Sequence, residues 1–205
     1  MKPQKLLIVV ATTNPKKHKE LVELLADLPI RVKSLTEFPG IREVEEDGKT
    51  FRENAEKKAL GYAKQTGCLT LAEDSGLCVD YLSGAPGIRS ARFAGEERDD
   101  RNNCRKLLEA LKEVPGQKRH AAFKCAAAIA LPEKVLAVVE EEIQGVIAQE
   151  MQGTNGFGYD PLFFYPGFGT TFGEVSADRK HSVSHRGKAL RRIREILNES
   201  LEINK

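Results

Sequence analysis

Leu6-Leu7-Ile8-Val9-Val10-Ala11-Thr12-Thr13-Asn14-Pro15-Lys16-Lys17 decides how the chain folds. Leu6 to Ala11 is an unbroken apolar run of a length that suits a buried strand. Asn14 is a helix-capping residue, and Pro15 suits the first helical position, where its missing N–H costs nothing. Leu21, Leu24, Leu25 and Leu28 then recur at helical spacing. A strand running straight into a helix is an α/β opening. The first helical turn holds Lys16, Lys17, His18 and Lys19, cations that oppose the helix dipole by roughly 0.3–1 kcal/mol each. Lys17 is therefore expected to add nothing to fold stability. An anion at the amino end of the helix explains the inversion, and so does a solvated basic helix start.

Strand and helix signals continue downstream. Arg31 to Leu35 reads as a short strand, and Glu43 to Gly48 as an acidic loop. Thr50 with Glu53 forms a capping box for a helix ending near Thr66, with Gly67 as its stop and Phe51, Ala55, Ala59, Tyr62 and Ala63 as its core face. Leu69 to Ala72 is a strand leading into Glu73-Asp74-Ser75-Gly76, expected to be an Asx turn before a second strand over Leu77 to Leu82. Ser83 to Ala94 is irregular, and the next helix carries Leu107, Leu108 and Leu111. Ala121 to Leu131 and Val135 to Val139 form a hairpin about Pro132-Glu133-Lys134, with a further strand over Ile143 to Gln149. A glycine-rich loop, Gly153 to Pro161, precedes a short strand at Leu162 to Tyr165. A final helix from His185 to about Ser200 has Ser184 as its cap. Strand–helix units beside an antiparallel hairpin predict an α/β fold with a mixed sheet flanked by helices.

The sequence has 205 residues, enough for one domain with a sizeable core, and no linker divides it, so residues 1–205 are expected to form a single domain. A net charge of +2 with 30% charged residues gives no global field toward nucleic acid or an anionic membrane, so any anion site is local. No apolar run approaches membrane-spanning length, and the amino-terminal run is too short for a signal peptide; a cytoplasmic location is expected. Cys68, Cys78, Cys104 and Cys125 make no C-x-x-C pair, and Cys68, Cys78 and Cys125 are expected to be buried thiols. The four histidines have no zinc spacing.

The candidate chemistry lies in four places. Glu45, Glu46 and Asp47 share a loop, and Glu73 and Asp74 share a strand end. Magnesium takes a few carboxylate oxygens and completes its shell with water and substrate phosphates, which these acids could serve. The glycine-rich loop is neither a P-loop nor a full dinucleotide fingerprint. It does carry Phe157 and Tyr159, which could stack on a base or simply anchor the loop. Lys180, Ser184, His185 and Arg186 form the last cluster, and His185 and Arg186 again put cations at a helix start.

Six segments in order resemble the inosine triphosphate pyrophosphatase family, the non-standard purine nucleoside triphosphate pyrophosphatases. They are Ala11 to Lys17, Glu46 to Ala55, Asp74 to Leu77, Gly84 to Arg92, Gly156 to Pro161 and Ser184 to Gly187. The resemblance runs from about Leu6 to Leu197. It implies a long mixed sheet, two lobes with a central cleft, and a homodimer. It also implies magnesium-dependent hydrolysis of ITP, dITP or XTP to the monophosphate and pyrophosphate, clearing such nucleotides from the pool. Thr12, Thr13, Asn14, Pro15, Lys16 and Lys17 would hold the phosphates, with Glu46 and Asp74 at magnesium and Asp74 also accepting the proton of the attacking water. Ser75 would touch substrate, and Phe157, Gly158, Tyr159, Asp160, Lys180, Ser184, His185 and Arg186 would form the nucleoside pocket. Two positions depart from the pattern: many members have glycine at Thr13 and aspartate at Glu73. Two alternatives stay open, a pyrophosphatase for modified pyrimidine triphosphates and a non-enzymatic nucleotide-binding protein. A binder would have no need of Glu46 and Asp74 at a metal.

Overall fold

The structure, a computed structural model, describes residues 6–202. Its strands are β1 (Leu6–Val10), β2 (Ile30–Ser34), β3 (Leu69–Val79), β4 (His120–Leu131), β5 (Lys134–Ile147), β6 (Phe163–Tyr165) and β7 (Thr170–Thr171). Its helices are α1 (Pro15–Leu25), α2 (Phe51–Thr66), α3 (Asp100–Ala110), α4 (Ala177–Val183) and α5 (His185–Glu202). The strands form one seven-stranded sheet in the order β2-β1-β3-β4-β5-β6-β7. β1 pairs parallel with β2 and β3, whereas β6 pairs antiparallel with β5 and β7, so the sheet is mixed as expected.

Two compact units share this chain. Among the described residues the first takes in 6–74, 125–140 and 189–202, and the second 75–124 and 141–188. In the first unit the two-residue period of the strands sorts their side chains into separate cores. Ile8 and Val10 join Cys125, Ala127 and Ile129 against Leu21 and Leu25 of α1 and Ala189, Leu190 and Ile193 of α5. Val9 and Ala11 join Ala126, Ala128 and Ala130 against Ala55, Ala59, Tyr62 and Ala63 of α2. Helices thus cover both faces of these strands, and the alanines let α2 approach closely. The second unit has its own core of Leu77, Leu107, Phe123, Ile147, Leu162, Phe163 and Phe172 among others.

Several boundaries differ from those expected. Asp74, Ser75 and Gly76 form no turn: β3 runs through them without a break. The Asp74 carboxylate, which an Asx turn would have folded back onto its own backbone, is held by Asn54 instead. Likewise β5 is one strand of 14 residues, because Glu140, Glu141 and Glu142 stay extended between two apolar stretches. α4 was not anticipated. It is short, and Ser176 caps it by accepting from the Arg179 N–H. Of the cysteines, Cys104 and Cys125 are buried, while Cys68 and Cys78 are only half-buried.

Candidate active site

Asn14 caps α1 as expected, its Oδ1 accepting from the N–H groups of Lys16 (2.9 Å) and Lys17 (3.2 Å). Thr12 Oγ1 accepts from the Asn14 N–H at 3.1 Å. Three amides at the start of α1, those of Asn14, Lys16 and Lys17, are therefore satisfied within the turn. The lysines still offer an anion their side-chain charge. Thr13, Pro15 and Lys16 are exposed, and Lys17 is half-buried.

Lys17 is not an unanswered cation. Its Nζ lies 2.9 Å from Oε1 of Glu73, whose side chain is fully buried. The inverted charge at the start of α1 is thus offset by a carboxylate from β3, a partner that the helix alone does not reveal. Glu73 Oε2 also receives the Cys125 thiol at 3.5 Å.

Asp74, next on β3, is buried and meets α2. Its Oδ2 accepts from Asn54 Nδ2 at 3.0 Å, and its Oδ1 lies 3.6 Å from Lys58 Nζ. The same ammonium donates to Glu46 Oε2 and to the Glu73 carbonyl, each at 2.8 Å. Burial pushes the Asp74 carboxyl above its ordinary range, against the opposing pull of the Lys58 and Lys17 charges and the Asn54 hydrogen bond. Burial pulls Lys58 down, yet the carboxylates of Asp74, Glu46 and Glu73 together hold it above its usual value. Asp47 instead pairs with Lys57 at the surface. Three carboxylates and two lysines thus alternate in one cluster. Asn54 and Lys58 had not been singled out from the sequence. Their i, i+4 spacing from the capped start of α2, beside its alanine face, was the available signal.

Among the described residues no three His, Cys, Asp or Glu side chains converge as a metal cage. The donor set fits a different kind of cation. Glu46 and Asp74 already converge on one positive charge, the Lys58 ammonium, and Asp74 is desolvated. Two carboxylates that share one positive charge could also share a divalent cation.

The second unit holds the aromatic and cationic residues. Phe157 is half-buried, with Lys180 Nζ 4.8 Å and Arg186 Cζ 5.4 Å from its ring centroid. Lys180 is buried and donates to Asp160 Oδ2 at 2.6 Å, and the Phe157 N–H donates to that same oxygen at 2.8 Å. Asp160 therefore fixes both the loop and the lysine. Tyr159 is an anchor: it is buried, and its hydroxyl donates to the Ser90 carbonyl at 2.8 Å. Gly158, between them, adopts φ +60° and accepts from the Cys104 thiol. Ser184 caps α5 by accepting from the Gly187 N–H at 3.0 Å. His185 is buried and stacks on Phe123 with ring centroids 4.9 Å apart. Arg186 Nη2 donates to Ser75 Oγ at 2.9 Å, so the residue following Asp74 is tied to the start of α5.

Known proteins are similar to this chain over most of its length. A family model described as the Ham1 family matches residues 8–196. A protein of Desulforamulus reducens named dITP/XTP pyrophosphatase is 54% identical over 191 residues, covering 93% of this chain and 95% of its own length. A Bacillus cereus protein of the same name is 47% identical over 194 residues, covering 94% of this chain and 95% of its own. Among solved structures, a HAM1 protein from Coxiella burnetii superposes with a TM-score of 0.87 at 42% identity, covering 95% of this chain and 99% of its own. A nucleoside-triphosphatase, also named dITP/XTP pyrophosphatase, from Mycobacterium abscessus gives a TM-score of 0.76 at 43% identity, covering 92% and 98%.

Proposed function

The chain belongs to the Ham1 family, and from that premise we propose that it hydrolyses non-standard purine nucleoside triphosphates to the monophosphate and pyrophosphate. The substrates are dITP, XTP and ITP. The single observation that carries the reading is the alternation of Glu46, Glu73 and Asp74 with Lys17 and Lys58, in which Glu73, Asp74 and Lys58 are buried. A protein that only bound nucleotides would gain nothing from desolvating Asp74 among these charges.

In this reading the whole chain acts as one pyrophosphatase domain. Lys16 and Lys17 hold the phosphates at the Thr12–Lys17 turn. Asp74 orients a water and takes its proton as the water attacks phosphorus in line, and the α–β anhydride bond breaks. A carboxyl already pushed upward by burial is a better proton acceptor than an ordinary aspartate. Glu46 and Asp74 would hold magnesium, which when bound supplies charge neutralisation along the triphosphate. Lys17 and Lys58 stabilise negative charge that builds on the phosphate oxygens. No covalent intermediate is needed. The nucleoside falls to the second unit, with Phe157 offering a ring face and His185 and Arg186 the base edge. Ser75, Gly158, Asp160, Lys180 and Ser184 shape that pocket, and Tyr159 supports it from the core.

No helix among the described residues is long and apolar enough to cross a membrane. A cytoplasmic homodimer that acts on free nucleotides, with no nucleic-acid partner, completes the proposal. The test is a product assay. Purified protein with magnesium and dITP, ITP or XTP is expected to release pyrophosphate and the monophosphate. Release of orthophosphate with the diphosphate would overturn the assignment, and activity confined to modified pyrimidine triphosphates would favour the alternative.

A further inference from the structure

Residues 41–48 have no regular secondary structure, yet they carry Glu46. What holds them is a row of side chains on α2. Gln65 accepts from the Arg42 N–H (2.8 Å) and donates to the Arg42 carbonyl (3.1 Å). The Tyr62 hydroxyl accepts from the Val44 N–H at 3.3 Å. Lys58 donates to Glu46 at 2.8 Å, and Asn54 Oδ1 accepts from the Gly48 N–H at 2.8 Å. Every second loop residue, 42, 44, 46 and 48, is thus gripped by helix residues 65, 62, 58 and 54 in reverse order. The spacing follows from backbone geometry. Two extended residues advance about 6.6 Å, and one helical turn about 5.4 Å, so an extended segment running antiparallel to a helix meets it roughly once per turn.

The last rung differs from the first two because Asn54 also reaches Asp74, donating through Nδ2 at 3.0 Å. A backbone N–H can only donate, so the amide oxygen must face Gly48 and the nitrogen must face the carboxylate. The fit is tight: a Cβ on Gly48 would stand 2.5 Å from Asn54 Oδ1. Asn54 is itself buried. We propose that Asn54 is a positioning residue, whose single amide sets the spacing between the Glu46 loop and Asp74. The inference rests on the reaction proposed above, in which those two carboxylates act together.

Asn54→Leu keeps the branched outline of the side chain and removes both hydrogen bonds. With dITP at saturating magnesium, kcat is expected to fall on the order of 10–100-fold, as for partners that orient ligand carboxylates, with KM for the nucleotide little changed. In the ligand-free protein, amide exchange followed by NMR should show the Gly48 N–H losing protection while the amides of β1 keep theirs. Gly48→Ala disturbs the same contact from the loop and should reproduce both effects, which keeps the test intact if Asn54→Leu does not fold. Lost Gly48 protection with undiminished kcat, in either variant, overturns the inference and leaves the reaction standing. Unchanged Gly48 protection in Asn54→Leu overturns it as well. A wild-type protein that releases no pyrophosphate overturns the reaction itself and the inference with it.

Discussion

Lys17 carries two opposed stability arguments, one from its helix and one from the fold. Taken with its helix alone, a cation at the start of α1 is a small cost. Taken with β3, it is the 2.9 Å partner of a fully buried carboxylate. Removing the cation leaves Glu73 desolvated with less positive charge nearby. Lys17→Met should therefore lower stability by about 1–3 kcal/mol, less than a fully buried pair because the lysine keeps some exposure. Thermal unfolding of Lys17→Met, Glu73→Gln and the double variant measures it. The double variant should recover part of the loss, and an unchanged Tm in Lys17→Met would show the pair to be energetically idle. Asp74 gives a prediction in pH. Only its deprotonated form can accept a proton, and burial raises its carboxyl above the usual value. Activity should then be lost on the acid side at a higher pH than an exposed aspartate would give. Lys58 is the largest of the influences that lower this carboxyl, so Lys58→Met should move the acid limb of kcat/KM further up. An acid limb that stays in place would take Asp74 out of the proton transfer or Lys58 out of its environment.

At the scale of elements, what was legible in the sequence were the features set by neighbours in the chain. The cap of α1 at Asn14, the stop of α2 at Gly67 (φ +67°) and the alanine face of α2 all follow from short-range chemistry. The capping box of α2 formed only in part: Thr50 accepts from the Glu53 N–H, but the Glu53 carboxylate accepts from the Lys49 N–H. The features that escaped are set by residues far away in sequence. Asp74-Ser75-Gly76 has the composition of a turn, yet β3 continues through it, and Asp74 bonds a helix residue 20 positions earlier. Lys58 is one more helix charge by sequence, and only the fold places it against Glu46 and Asp74. The site divides in the same way. Its carboxylates could be picked out by type and order, whereas Asn54 and Lys58, which hold them, are defined by which face of α2 the 42–48 segment lies against. Periodicity reports that α2 has a polar face but not what that face grips.

For the molecule as a whole, the chemistry is distributed along the chain in a definite way. Lys17, Glu46, Lys58, Glu73 and Asp74 belong to the first compact unit, and Phe157, Asp160, Lys180, His185 and Arg186 to the second. Asn54 holds Asp74 within the first unit, and Arg186 holds Ser75 within the second. Base choice can then be tested apart from phosphate chemistry. Hypoxanthine and xanthine carry an oxygen acceptor at the 6-position, where adenine carries an amino donor. A guanidinium has only donors, so a buried Arg186 that meets the base edge is matched by the first two and left unsatisfied by the third. Guanine shares the 6-oxo group, so Arg186 does not separate it from hypoxanthine. Arg186→Met should lower kcat/KM for ITP and XTP by about 1–3 kcal/mol, the cost of an unmade buried hydrogen bond, with a much smaller effect on ATP. Measuring ITP and ATP on one preparation controls for damage to the fold, which would reduce both. A parallel fall in the two would assign Arg186 to structure, through its hydrogen bond to Ser75, and would move base selectivity to another residue of the Phe157 pocket.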